Sequence, residues 1–114
     1  MLMRLALPIA VASLTLAGCA KPEPVGSAEA ACAVASARVT AERGLPVSHV
    51  AMCEHITEED GRPGYYIMAL RAHCREKLCG STLMGWFAVR EATGDVFEVD
   101  VTDWRIGRRV TESS

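Results

Sequence analysis

The chain is poor in aromatic side chains and has no cluster of basic residues. Trp, Tyr and Phe occur twice each among 114 residues, and 12 Lys and Arg stand against 14 Asp and Glu. Nucleic-acid-binding domains usually carry a basic patch, so this charge balance argues against that class. Hydrophobic residues make up 50% of the chain, which is too many for a disordered polypeptide. They form only one long apolar run, so a protein that crosses a membrane several times is excluded as well.

The single long apolar run lies at the N-terminus and has the layout of an export signal. Arg4 supplies positive charge, an apolar stretch runs from Leu5 to Leu16, and small residues follow it. The stretch is shorter than the roughly 20 residues of a membrane-spanning helix. The sequence therefore predicts a signal peptide over residues 1–18. An ordinary secretory signal with a coincidental cysteine at the cut is the alternative, and it would export the chain too.

The residues around the predicted cut, Leu16-Ala17-Gly18-Cys19, resemble the lipobox of bacterial lipoproteins. In that family the cysteine is acylated and becomes the first mature residue, so the resemblance implies a lipid anchor on Cys19. The residue after the cysteine is Ala20. In enteric bacteria, Asp at this position marks a lipoprotein for retention in the inner membrane. Ala20 therefore implies the periplasmic side of the outer membrane. Cleavage removes 18 of the 114 residues and leaves 96, with 11 basic and 14 acidic residues and a formal charge of −3.

Four cysteines remain in the mature chain, an even number for a small exported domain. Two disulfides are expected in an oxidising compartment, and three pairings are open from sequence. We favour Cys32 with Cys53 and Cys74 with Cys79. The second pair closes a short loop, and the first ties separate elements together.

A metal or redox site is the alternative use of these cysteines. The spacing Cys74-x4-Cys79 differs from the Cys-x-x-Cys of thioredoxin-like sites and lacks the second close pair of zinc ribbons. His49, His55 and His73 lie in stretches with strand-like patterns, where a packed or solvated histidine is commoner than a metal ligand. We therefore expect no metal and no cofactor.

The mature chain is predicted to begin with a tether and a helix. Residues 19–26 contain two prolines and a glycine and are predicted to be the lipidated tether. A single domain is predicted over 27–110, followed by a tail over 111–114. Ser27 is a candidate N-cap, no Pro or Gly interrupts the chain up to Arg43, and Gly44 is a stop signal.

Beyond the helix the apolar spacing changes to the alternation typical of strands. Strands are predicted over 47–56, 65–74, 83–90 and 97–101. In the last of these, apolar and acidic residues alternate, which is typical of a sheet with one face exposed to solvent. The arrangement predicted is α+β: one N-terminal helix packed on a four-stranded antiparallel meander, stapled by disulfides. The segment from Trp104 to Arg109 is predicted to cover a sheet edge or to form a tail.

No group of residues supports catalysis. The serines lack the context of a nucleophile elbow, and no glycine-rich phosphate loop precedes a helix. Acidic residues cluster beside a Gly-Pro turn, where carboxylates are usually solvated and keep ordinary acidity. These are Glu54, Glu58, Glu59 and Asp60. We therefore expect a protein that is not an enzyme.

The segment Cys74-Arg75-Glu76-Lys77-Leu78-Cys79 is the most distinctive feature of the mature chain. A disulfide that makes this loop rigid would lower the entropy lost when the loop inserts into a partner. Arg75 and Lys77 would then supply positive charge at the contact. The alternative is a purely structural staple between two strands, whose tip faces water.

The predicted strand, the disulfide-closed loop and the following strand 83–89 resemble the family of periplasmic inhibitors of vertebrate lysozyme. The resemblance covers about residues 65–90 and carries over Cys74, Cys79 and the basic Arg75, whereas Lys77-Leu78 stand where that family has His-Asp. It implies a small exported α+β protein that pushes its loop into the lysozyme cleft. Because a muramidase cleft presents two carboxylates, we expect Arg75 and Lys77 to pair with them in an inhibitor or immunity protein against a cell-wall hydrolase.

The competing hypothesis is an accessory or structural envelope lipoprotein that binds another protein through its sheet. A helix on a small antiparallel sheet is also the shape of cystatin-like and PepSY-like domains, and the hairpin over 93–97 resembles a PepSY turn. Trp86 and Trp104 would then be exposed anchors. Their burial would weaken this hypothesis, and a solvent-exposed loop over 74–79 would favour the inhibitor.

Overall fold

The computed structural model describes residues 22–56, 61–75 and 79–111. The predicted signal peptide with its lipobox and Cys19 lies outside these ranges. So do Lys77 and the acidic residues 58–60.

Helix α1 (Ala28–Arg43) begins and ends where the sequence predicts. The Ser27 side chain accepts a hydrogen bond of 3.1 Å from the Ala30 N–H, one of the donors that a helix start leaves unpaired. At the other end Gly44 takes the left-handed conformation, with φ of 69°, and its N–H donates to the Ala41 carbonyl. The buried face of the helix is lined by small side chains, which lets it lie close to the sheet.

Five antiparallel strands form one sheet in the order in which they occur along the chain. The α+β class is confirmed, but the sheet has five strands and not four. A 3₁₀ turn, Val47–His49, precedes the first strand, which therefore starts later than predicted. The strands are β1 (Val50–His55), β2 (Tyr65–Ala72), β3 (Leu83–Arg90), β4 (Val96–Asp100) and β5 (Arg105–Arg109).

The fifth strand comes from the basic segment that was predicted to cover an edge or to form a tail. It pairs with β4 through Val99 opposite Ile106 and Asp100 opposite Arg105. Its sequence, Arg-Ile-Gly-Arg-Arg, lacks the apolar alternation of a strand because it forms the edge of the sheet and is mostly exposed. Charged side chains on such an edge discourage pairing with other chains.

The main core lies between α1 and the sheet. Met68 and Leu70 of β2 are fully buried there, together with Phe87 and Val89 of β3. The favoured disulfide Cys32–Cys53 is present with its Cα atoms 6.0 Å apart, and both cysteines pack against this core. The bond therefore ties the helix to the edge strand β1.

The segment before the helix is docked against the turn between β3 and β4. The Glu23 N–H donates to the Thr93 carbonyl at 3.1 Å, and the Val25 N–H donates to the Glu91 carbonyl at 2.8 Å. Val25 is buried in the core, and a Cβ on Gly94 would lie 2.9 Å from the Glu23 carbonyl oxygen. The packed part of the chain thus begins within the predicted tether. These contacts place the start of the packed chain at the end of the sheet where the β3–β4 turn lies.

Arg108 connects the end of α1 to strand β4 beside the β5 edge of the sheet. Its guanidinium lies 2.7 Å from a Glu42 carboxylate oxygen and 2.9 Å from a Glu98 oxygen. The Thr111 N–H also donates to Glu42, at 2.9 Å. The hydrogen bond from Arg108, followed by that from the Thr111 backbone, lowers the pKa of Glu42 to about 2 from an ordinary value of 4.5. The two carboxylates in turn raise the pKa of Arg108.

We expect this cluster to make stability depend on pH in the acid range. Because the pKa of Glu42 is lower in the folded than in the unfolded chain, its contribution is complete above about pH 4.5 and is lost as the pH falls toward about 2. The free energy of unfolding, from denaturant titrations at pH 7 and pH 3, should fall less in Glu42→Gln than in the wild type. The exposed Glu91→Gln is the control, and an equal loss in the wild type and Glu42→Gln would contradict this role.

Candidate protein-binding surface

The Cys74–Cys79 loop lies at the end of the β2–β3 hairpin. Beyond the last backbone hydrogen bond of the hairpin, from the Ala72 N–H to the Thr82 carbonyl at 2.8 Å, every described residue of 73–81 is exposed. The favoured disulfide is present here too, with the two Cα atoms 5.8 Å apart. The disulfide therefore closes a small ring at the tip of the hairpin, and the described residues of this ring are exposed.

Of the two predicted partner-binding cations, Arg75 lies in the described part of the chain. It is exposed, and among the described residues it has no ion-pair partner. Its guanidinium offers five N–H donors in a planar fork that matches the geometry of a carboxylate. Arg75 thus lies within the ring closed by the disulfide, and no other described residue pairs with its guanidinium.

The sheet face away from the helix carries four of the six aromatic side chains. Tyr65 and Phe97 meet edge to face with ring centroids 6.1 Å apart, and Trp86 and Trp104 do so at 6.0 Å. Trp104 lies in the turn between β4 and β5 with φ of 54°, and its carbonyl accepts a hydrogen bond from Arg62. We call these four residues the aromatic cluster.

The aromatic cluster covers small side chains at the middle of the sheet. Ala69 lies opposite Trp86 in the strand register, and Ala88 lies opposite both Ile67 and Phe97. Ile67, Ala69 and Ala88 are each no more than 2% exposed. This face of the sheet is thus apolar and covered at its centre, and the sheet is buried on both sides there.

Sequence reasoning missed this second buried face, although a signal for it was present. The run Tyr65-Tyr66-Ile67-Met68-Ala69-Leu70 is almost continuously apolar, which indicates a strand buried on both faces rather than one with alternating sides. Both tryptophans of the competing hypothesis are half-buried and packed on each other. Their main contact is therefore within the domain.

Two of the three histidines are neighbours, since the His73 N–H donates to the His49 carbonyl at 3.4 Å, whereas His55 lies at the other end of β1. His49 ends the 3₁₀ turn, His55 ends β1 and His73 lies in the loop after β2. Across the described ranges, no group of three or more His, Cys, Asp and Glu is placed to hold a metal ion. Within the same ranges, no helix has the length and apolar content needed to cross a membrane.

Comparisons with models of protein families, with curated proteins and with solved structures find no match for this chain. The function must therefore be inferred from the surface itself.

We expect the aromatic cluster to stabilise the domain and the Arg75 side chain to leave stability unchanged. Trp86→Ala removes the cover from Ala69 and the contact with Trp104, and should lower the free energy of unfolding by about 2 kcal/mol. Arg75→Ala removes an exposed side chain and should change it by less than about 0.5 kcal/mol. Denaturant unfolding of both variants measures this difference. A stability loss in Arg75→Ala as large as in Trp86→Ala would show that the loop is a structural staple.

Proposed function

We propose that this protein is a lipoprotein of the outer membrane that binds and inhibits a cell-wall hydrolase in the periplasm. It would act as an inhibitor or as an immunity protein, with the Cys74–Cys79 loop as its binding element. The observation that carries this proposal is a disulfide-closed segment at the tip of a hairpin, whose described residues, 73–75 and 79–81, are all exposed, whereas the strands of the hairpin are buried at their middle.

Rigidity is the first argument for the loop as a binding element. Ordering a free segment on binding costs about 1–2 kcal/mol per residue for the backbone alone. The disulfide restricts the six residues from Cys74 to Cys79 before any partner arrives. A loop prepared in this way can enter a narrow cleft with a smaller loss of entropy.

Charge is the second argument. The cleft of a muramidase contains a pair of carboxylates. Arg75 and Lys77 would approach them from the loop, and a guanidinium can bind one carboxylate through two parallel hydrogen bonds. The formal charge of −3 on the mature chain would steer the protein toward a basic hydrolase over longer distances.

Location is the third argument. The lipobox-like sequence ending at Cys19 would attach the mature chain to lipid, and Ala20 favours the outer membrane. Two disulfides are consistent with an oxidising compartment such as the periplasm. An anchored inhibitor would protect the wall close to the membrane that carries it.

The accessory-lipoprotein hypothesis keeps one specific observation in its favour. The aromatic cluster is half-buried rather than fully buried, so its outer surface remains a possible contact for another envelope protein. The mutual packing of Trp86 and Trp104 and their cover over buried residues favour a structural role instead. The exposed loop therefore remains the stronger candidate.

Affinity capture tests the proposal directly. The full chain, exported and purified in mild detergent, is exposed to envelope extract and to a panel of purified muramidases. We expect the wild type to retain a wall hydrolase. Arg75→Ala/Lys77→Ala should retain at most one tenth as much, because the carboxylates of the cleft lose their partners. A tenfold loss corresponds to about 1.4 kcal/mol of binding free energy.

The matched control is Arg90→Ala/Arg109→Ala, which removes the same charge at the end of the sheet away from the loop, where Arg109 lies opposite Phe97. Arg90 ends β3 at the opposite end of the hairpin, and this variant should bind like the wild type. Capture of a non-enzymatic envelope protein alone, equally by all three proteins, would refute inhibition and support an accessory role.

A further inference from the structure

We infer that the end of the sheet at the β3–β4 turn faces the membrane, and that the hairpin tip with the Cys74–Cys79 disulfide is held away from it. The inference rests on the proposed function, because it takes Cys19 as the lipid anchor, and it adds the orientation in which that anchor presents the domain. The membrane-facing surface consists of residues 22–25, 61–64 and 90–95, and we call it the anchor end.

Backbone hydrogen bonds join the three segments of the anchor end into one surface. The Glu23 N–H donates to the Thr93 carbonyl at 3.1 Å, and the Val25 N–H donates to the Glu91 carbonyl at 2.8 Å. The Glu91 N–H in turn donates to the Gly64 carbonyl at 2.8 Å. The chain that precedes the helix is therefore bonded to the β3–β4 turn, and that turn is bonded to the residues just before β2.

Side-chain packing shows that this segment is part of the domain as far as Glu23. Val25 is 5% exposed and belongs to the core. Gly94 has φ of 77°, and a Cβ at this position would lie 2.9 Å from the Glu23 carbonyl oxygen. Glycine suits both the left-handed turn and the close approach of the two backbones. The chain becomes a free tether only before Glu23.

Docking at Glu23 halves the free tether that the sequence predicts. A tether over 19–26 has eight residues and could span about 28 Å when fully extended. With Glu23 held on the turn, four steps along the chain separate it from Cys19, and these span at most about 14 Å. The anchor end must therefore lie close to the acylated cysteine.

The hairpin tip lies at the other end of the sheet. β3 runs from Leu83 beside the tip to Arg90 at the anchor end, and seven steps of about 3.3 Å separate these two residues by about 23 Å. If the tip pointed at the lipid, the anchor end would stand farther from it than the tether can reach. An anchor at Cys19 thus leaves two arrangements, a domain standing on its anchor end and a domain lying on its side.

The broad sides of the domain offer little that would adhere to lipid. On the sheet face away from the helix, the rings of the aromatic cluster are half-buried and packed in pairs. On the other side, the exposed positions of α1 hold four alanines, Glu29 and Arg43. A helix that lies in a membrane interface carries large apolar side chains and a basic polar face, and α1 has neither.

Charge favours the standing arrangement as well. The mature chain has a formal charge of −3, so anionic lipid does not draw the domain down onto its surface. At the anchor end the described charges cancel, with Asp95 bound to Arg109 at 3.2 Å. The other four are Glu23, Arg62, Arg90 and Glu91. The anchor end can therefore approach the head groups without strong repulsion, held there by the short tether.

Paramagnetic relaxation in NMR spectra tests the orientation residue by residue. The acylated full chain, isotope-labelled, is inserted into phosphatidylcholine nanodiscs with and without a lipid that carries gadolinium on its head group. The amide signals of Glu91 and Ala92 should lose at least about three times as large a fraction of their intensity as those of Gly80 and Ser81, because the two ends differ in height by about 23 Å.

The matched control lengthens the tether by twelve Gly and Ser residues inserted after Ala20. The resulting stretch of about sixteen flexible residues has an average span of about 20–24 Å, so either end of the domain can approach the lipid and the difference between the ends should nearly vanish. Gly94→Ala, which presses on the Glu23 carbonyl, should release the docked segment and reduce the difference by a second route. Well-dispersed amide signals verify that each variant is folded.

The outcomes separate this inference from the proposed function. If the wild type enters the nanodiscs and all four signals weaken equally, the domain lies on its side and the inference is wrong, whereas inhibition is decided by the capture experiment. A stronger loss at Gly80 and Ser81 would also overturn the inference. If the chain is not acylated and stays out of the nanodiscs, the inference and the proposed location both fail. The expected gradient without capture of any hydrolase would support the orientation and refute inhibition.

Discussion

Strand β2 has no solvent face at its centre, and the other elements are arranged around that constraint. Met68 and Leu70 lie in the core under α1, while Ile67 and Ala69 are covered from the opposite side by the aromatic cluster. Complete burial of a large aliphatic side chain stabilises a fold by about 1.5–3 kcal/mol. The helix on one side and the β4–β5 turn with Trp104 on the other are therefore both needed to keep β2 from water.

The same constraint gives the loop its support. β2 and β3 are paired along almost their whole length, and both are buried at their middle, so the hairpin is a firm base. The Cys74–Cys79 bond then restricts the chain that leaves this base. The docking of Glu23 and Val25 at the other end gives the domain two distinct ends, at which the proposed anchor and the proposed partner would lie. Because the hairpin is buried at its middle, it holds its exposed tip in a defined direction, away from the end of the domain where Glu23 is docked.

The features that local chemistry determines were predictable from the sequence. Ser27 and Gly44 set the helix ends through backbone groups within a few residues, and the loop disulfide joins residues five positions apart. The strand β5 was not predictable in the same way, because an exposed basic edge strand has no apolar periodicity and depends on β4 for its pairing. The run over 65–70 did contain the signal for a doubly buried strand, and reading it as simple alternation caused the error.

Inhibition by the closed and the opened loop tests the central claim, that a preorganised loop is the binding element. The measurement is the rate at which the captured muramidase clears a cell-wall suspension, in the presence of the wild type or of Cys74→Ser/Cys79→Ser. We predict that the wild type slows clearing and that the opened loop needs at least about tenfold more protein for the same effect, because about 1.4 kcal/mol or more of ordering must then be supplied on binding. Equal inhibition by both proteins would contradict the account.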